Sequence, residues 1–193
     1  MQDQFRFLLQ WAMAPLQVAA VAPSGRSLAR LMAQEVRPDL GPVIELGPGT
    51  GVFTRAMIEQ GMPEDRIALI ELNPAFAADL ARRFPKAQIH NVSAVDLMEM
   101  RTFDRKAAAV LSGLGLLSMP QQVVEAILRG VFLHLRPGGA FVQFTYGLRC
   151  PIPPEMLRYL GLQARRAGGT WRNLPPASVY TITRTSDYRQ MAK

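Results

Sequence analysis

The chain reads as an α/β protein: a doubly wound, Rossmann-like, mostly parallel sheet carrying an antiparallel C-terminal hairpin and an N-terminal amphipathic helical region. Three observations predict this. Short apolar runs alternate with segments of helix length, a triple-glycine turn follows the first run, and beyond Tyr146 the alternation gives way to two longer extended runs.

The apolar runs cover residues 42–46, 66–71, 87–91, 107–112 and 140–146, ending in polar or glycine-rich turns. That pattern marks strands buried on both faces, as in a parallel sheet. Segments 51–60, 74–84 and 120–135 between them read as helices, the last closed by Arg136-Pro137-Gly138-Gly139, a helix stop followed by a turn. Pro151, Pro153 and Pro154 then interrupt the chain, and a short helix fits after them. Residues 162–172 and 177–184 read as two strands joined by Asn173-Leu174-Pro175-Pro176.

A length of 193 residues with 49% hydrophobic content suits one domain, with residues 1–37 as the amphipathic region (membrane contact and lid) and 38–193 as the catalytic core. No apolar run approaches the roughly 20 residues that span a bilayer, and no secretory pattern opens the chain, so a cytoplasmic protein is expected. The single cysteine, Cys150, excludes an internal disulfide. His90 and His134 have no metal-ligand spacing, so no metal is expected.

Charge is less neutral: 22 basic against 15 acidic residues give +7, and the sequence pI is near 10.3. Only Lys86, Lys106 and Lys193 are lysines, so nineteen of the 22 are arginines. Guanidinium forks suit phosphate, which leaves anionic lipid and nucleic acid as partners; an arginine-rich codon usage gives the same count.

In an open α/β sheet, ligands bind beyond the carboxyl ends of the strands. The first strand ends in Glu45-Leu46-Gly47-Pro48-Gly49-Thr50-Gly51, with Phe53 and Thr54 following; the second ends in Glu71-Leu72-Asn73. The glycines let backbone turn sharply and approach a ligand, while the Glu71 carboxylate can accept both hydroxyls of a ribose. The last glycine comes one residue earlier than in a pyrophosphate-binding fingerprint. This predicts a nucleoside site, with Glu45 toward the far portion of the ligand. Candidate contacts are Glu45, Gly47, Gly49, Gly51, Thr54, Glu71, Leu72, Asn73, Ala94, Asp96 and Ser112. Asp96 is placed either to accept an adenine amino group or to cap a turn with Ser93.

At the N-terminus, Phe5, Leu8, Leu9, Ala12, Met13 and Leu16 fall on one helical face broadened by Phe7 and Trp11, opposite Asp3, Arg6, Gln10 and Gln17. Such a helix suits a lipid interface or a packed core. Arg26 and Arg30, one turn apart, can touch lipid phosphate or face water.

The G-x-G-x-G turn resembles motif I of class I S-adenosylmethionine methyltransferases. Leu111-Ser112-Gly113-Leu114-Gly115-Leu116-Leu117-Ser118-Met119-Pro120 and Trp171-Arg172-Asn173-Leu174-Pro175-Pro176-Ala177-Ser178-Val179-Tyr180 resemble the soluble-type bacterial phospholipid N-methyltransferases over nearly the full length. The resemblance implies S-adenosyl-L-methionine as cofactor, with S-adenosyl-L-homocysteine as product. It also implies transfer to phosphatidylethanolamine and its methylated derivatives, giving phosphatidylcholine, by an enzyme peripheral on the inner face of the plasma membrane at an anionic membrane surface, with no nucleic acid partner. Within it Tyr180 and Tyr146 are candidates to orient the amine and relay its proton, Trp171 to face the methylated cation, and Arg149, Arg172 and Arg184 to hold lipid phosphate. Phe5, Leu8, Leu9, Trp11, Arg26 and Arg30 then face the membrane.

Two alternatives stand beside this. Residues 45–54 look much like the first motif of ribosomal RNA adenine dimethyltransferases, although Ser112-Gly113-Leu114 replaces the Asn-Leu-Pro-Tyr-like turn and no helical RNA-binding extension follows. A noncatalytic lipid-binding module is the other; the complete cradle argues against it.

Overall fold

The three central strands, β1 (Val43–Leu46), β2 (Ile67–Ile70) and β4 (Ala107–Ser112), are buried at every residue, so none of them needs a polar face. They belong to a computed structural model that describes residues 23–170 and 176–185. The remaining strands are β3 (Gln88–His90), β5 (Leu135–Tyr146), β6 (Leu162–Thr170) and β7 (Ala177–Arg184). The helices are α1 (Pro23–Ala33), α2 (Val52–Glu59), α3 (Pro74–Arg83), α4 (Gln121–His134) and α5 (Pro154–Tyr159).

One seven-stranded sheet runs β3-β2-β1-β4-β5-β7-β6. The first five in that order are parallel, and β7 is antiparallel to both β5 and β6. Strand order therefore reverses between β1 and β4, which opens a crevice at their carboxyl ends. The sheet is Rossmann-like, as the alternation predicts, with the expected terminal hairpin.

Apolar layers cover both faces. On one, α1, α2 and α3 bring Leu28, Met32, Phe53, Met57 and Leu80 against alternate side chains of the central strands. On the other, α4 and α5 bring Val124, Ile127, Val131 and Met156 against Ile44, Leu46 and Val110. In α1 the spacing of Leu28, Ala29, Met32 and Ala33 makes the buried stripe, while Arg26 and Arg30 stay exposed. Burying a side chain such as Leu28 contributes about 1.5–3 kcal/mol. Among the described residues no helix is long and apolar enough to cross a membrane.

The structure departs from expectation at the end of α4. That helix stops at His134, and β5 begins directly at Leu135, so Arg136-Pro137-Gly138-Gly139 lies within the strand. Leu135 pairs with Ala107 and Ala140 with Ala109, so the intervening residues bulge from the ladder. Gly138 takes φ +70°, and a side chain on Gly139 would sit 2.9 Å from the Arg136 carbonyl and 3.1 Å from that of Ala108. Local turn chemistry is real here, and pairing with β4 places it inside the sheet. Residues 171–175, including Trp171 and Arg172, lie outside the described residues, as do Phe5, Leu8, Leu9 and Trp11.

Candidate active site

The loop leaving β1 is held open by its glycines. Gly47, Gly49 and Gly51 take φ of +64°, +52° and +69°, in the left-handed region that side chains disfavour. Space adds a second constraint: a Cβ on Gly47 would stand 2.6 Å from Leu114 Cδ2, and one on Gly51 would stand 2.6 Å from Phe84 Cε2. The Gly47 N–H donates to the Ile70 carbonyl at 2.9 Å, and the Gly113 N–H to that of Leu46 at 2.8 Å. The strand ends are thereby stitched together directly beneath the crevice.

Two buried carboxylates flank this loop. Glu71, 4% exposed, accepts the Gly49 N–H at 3.0 Å and the Asn73 N–H at 2.8 Å, one on each oxygen. A carboxylate has about four acceptor positions, so two remain for vicinal hydroxyls. Asn91 fixes that turn by donating Nδ2 to the carbonyls of Glu71 at 2.8 Å and Leu72 at 3.0 Å. Asn73 caps α3, its Oδ1 accepting the Ala75 N–H at 2.9 Å.

Glu45 is fully buried and accepts the Thr54 hydroxyl at 2.6 Å on Oε2, while Oε1 has no hydrogen-bond partner. Burial, reinforced by the like charge of Glu71, pushes its pKa from 4.5 up to about 8 despite the Thr54 hydrogen bond. A buried acceptor left open at a strand end suits a cationic ligand group. Thr54 thus orients Glu45.

Tyr146, at the end of β5, packs edge-on against Phe144 (5.5 Å), which packs edge-on against Phe53 (5.8 Å) in the first turn of α2. Burial raises the Tyr146 phenol above its usual range, so it stays protonated. Tyr180 does not join it. Tyr180 pairs with Gln143 and Tyr146 with Ala177, which puts the two rings on opposite faces of the sheet. The Tyr180 hydroxyl donates to the Leu148 carbonyl, so the ring ties the loop after β5 to β7.

Arg184 requires a correction. Because β7 runs antiparallel to β5, Arg184 lies at the opposite end of the sheet from the crevice, stacked 5.3 Å over Phe132 and donating to the Arg136 and Phe132 carbonyls. It is no phosphate ligand for a substrate in the crevice. Arg149 is exposed on the loop after β5, on the crevice side. Ser93 accepts the Val95 N–H at 3.4 Å and so caps the turn Ala94–Glu99, in which Ala94 is half-buried and Asp96 exposed. Ser112 is buried and accepts the Leu114 N–H at 3.2 Å, shaping the loop after β4. Among the described residues no cluster of His, Cys, Asp and Glu could hold a metal.

Residues 43–139, half of the chain and the whole span from β1 into β5, match the methyltransferase domain family. The chain belongs to that family. The ornithine lipid N-methyltransferase of Singulisphaera acidiphila is 29% identical over 188 residues, covering 93% of this chain and 95% of that protein. Among solved structures, the DhpI–S-adenosylhomocysteine complex superposes with a TM-score of 0.64 at 20% identity, over 92% of this methyltransferase and 94% of that chain. The glycopeptide N-methyltransferase MtfA complexed with S-adenosylmethionine gives 0.63 at 14%, over 83% and 94%. Both structural likenesses carry the fold.

S-adenosyl-L-methionine is the methyltransferase's cofactor and S-adenosyl-L-homocysteine its product. The residues present fit it: Glu71 has acceptors left for a ribose, the glycine loop leaves backbone at the crevice floor, and the buried Glu45 Oε1 has no hydrogen-bond partner in the chain. When bound, the cofactor supplies an electrophilic methyl group on a positive sulfur. Asn91, Leu114 and Gln143 also shape the cradle, with no individual role assigned to them from the sequence. Only Asn91, polar at a strand end, carried a legible signal.

Proposed function

We propose that this methyltransferase transfers methyl groups to the headgroup amine of a membrane lipid. The observation that carries the reading is the nearly full-length similarity to a protein named for lipid N-methylation, since the fold alone admits many acceptors. The chain supports it in two ways. The loop after β4 is Ser112-Gly113-Leu114 in place of the Asn-Leu-Pro-Tyr-like turn that suits a planar adenine amine, which favours a flexible alkyl amine. Arg149 stands exposed on the crevice side, where a lipid phosphate would arrive.

The substrate proposed is phosphatidylethanolamine with its mono- and dimethyl derivatives, giving phosphatidylcholine, handled by a peripheral protein on the inner face of the plasma membrane. Only the neutral amine has the lone pair that attacks in line with the sulfonium methyl. Tyr146, protonated and at the crevice edge, accepts an amine N–H on its hydroxyl oxygen and so aims the nitrogen; the released proton passes to water. Tyr180 serves by holding the loop that bears Leu148. A second reading, an ornithine headgroup amine, is favoured by the name of the 29% relative.

Purified protein with methyl-labelled cofactor and vesicles of phosphatidylethanolamine or of ornithine lipid, with ribosomal RNA in parallel, tests both. Label in phosphatidylethanolamine is expected. Label in ornithine lipid alone moves the substrate to the second reading, and label in RNA alone contradicts the proposal.

A further inference from the structure

Two loops overhang the cofactor end of the sheet: residues 113–120 between β4 and α4, and residues 147–153 between β5 and α5. Both leave neighbouring parallel strands at the same end of the sheet, β5 running three residues past Gln143, the partner of Ser112. Across the two loops the only charged residue is Arg149, and neither contains a carboxylate. Leu117 is 60% exposed and Leu148 62% exposed; among the described large apolar side chains only Tyr159 is more so.

A single exposed leucine is ordinary. Here, however, the backbone around each is tied down, so neither leucine can simply fold inward. Gln143, fully buried, donates Nε2 to the Leu114 carbonyl at 2.9 Å, and the Ser118 and Met119 N–H groups close the turn onto Gly115 at 3.2 Å and Leu116 at 3.1 Å. In the other loop Tyr180 holds the Leu148 carbonyl, and the Gly147 N–H donates to Pro176 at 2.9 Å. Leu116 and Ile152 point into the core at 2% and 1% exposure, anchoring the loops whose neighbouring leucines point out.

We propose that Leu117 and Leu148, with Arg149 beside them, form a lipid-facing rim that seats the mouth of the crevice on an anionic membrane surface. The surface deepens the lipid-amine reading and rests on it. Charge selects the occupant: a chain of net charge +7 presents apolar loops bearing one arginine and no acid, which complements anionic headgroups over hydrocarbon. Insertion is shallow, because loop backbone cannot enter hydrocarbon without stranding its polar groups. Leucine side chains reach the acyl boundary while the guanidinium stays at phosphate level. A lipid amine then meets the crevice without leaving the bilayer.

The test uses the full chain, with vesicles of phosphatidylcholine alone or mixed with phosphatidylglycerol. The double variant Leu117→Ser with Leu148→Ser is expected to lower the vesicle partition coefficient by about tenfold or more while leaving S-adenosylhomocysteine affinity unchanged. Arg149→Glu is expected to weaken partitioning by about fivefold or more onto the anionic vesicles and little onto the neutral ones. In the double variant, turnover of vesicle-embedded phosphatidylethanolamine falls and turnover of a short-chain, monomeric analogue does not. Unchanged partitioning of the double variant, or equal loss of both turnovers, overturns the rim. If the unmodified protein methylates neither lipid yet the variants lose vesicle binding as stated, the rim stands and the lipid-amine reading fails.

Discussion

At the scale of single residues, Glu45 has the most telling surroundings. Burial and the neighbouring Glu71 hold its folded pKa near 8 against 4.5 for an ordinary side chain, so the folded protein keeps a proton that the unfolded chain gives up. The stability this contributes is complete below about 4.5 and is lost as pH rises through about 8. Glu45→Gln should therefore flatten the fall in melting temperature across that window and leave the cofactor-free protein more stable than the parent at its alkaline end; parallel melting profiles for the two would refute this. Because the cofactor is cationic, its binding should also release protons from Glu45 at neutral pH, read as a heat of binding that changes between buffers of different ionisation enthalpy. Gly47 is constrained differently. With φ at +64° and Leu114 Cδ2 only 2.6 Å from a would-be Cβ, Gly47→Ala is expected to cost about 1–2 kcal/mol for the backbone alone and to weaken S-adenosylhomocysteine binding, measured by denaturant unfolding and calorimetry.

At the scale of elements, packing is concentrated where helices meet the parallel strands. Leu28, 1% exposed in α1, lies in the cluster that also contains Phe53 and Met57 of α2. Leu28→Ala should destabilise by about 2–5 kcal/mol in urea unfolding, while Arg26→Ala on the exposed face should change little. Elements of this kind were legible in sequence because short apolar runs alternate with segments of helix length: β4 and β7 occupy the expected residues, and β1, β2, α2 and α3 differ by a residue or so at their ends. The Arg136-Pro137-Gly138-Gly139 segment was legible as a turn and not as a bulge, because only pairing with β4 draws it into the ladder. Side-chain parity in the hairpin was hidden for the same reason: register with β5 decides that Tyr180 and Tyr146 face opposite sides, and no local pattern encodes it.

At the scale of the whole molecule, the topology puts every glycine-loop and carboxylate position of the cradle at one end of the sheet, with the apolar loops bearing Leu117 and Leu148 around it. That much of the site was legible, since Glu45, the three glycines, Glu71 and Asn73 all lie at or just beyond the ends of parallel strands, and strand ends determine where ligands lie. Arg184 was misread because strand direction in the hairpin reverses which end a terminal residue reaches. The cradle is the central claim, and calorimetric titration with S-adenosylhomocysteine tests it most directly, comparing the unmodified chain with Glu71→Gln, which keeps one acceptor and loses the charge. The account predicts clear binding by the unmodified chain and affinity weaker by about ten- to a hundredfold in the variant, whose melting temperature falls modestly because the new amide NH2 meets one of the two backbone N–H groups that the carboxylate accepts; no binding heat in the unmodified chain, or equal affinity in both, would contradict it.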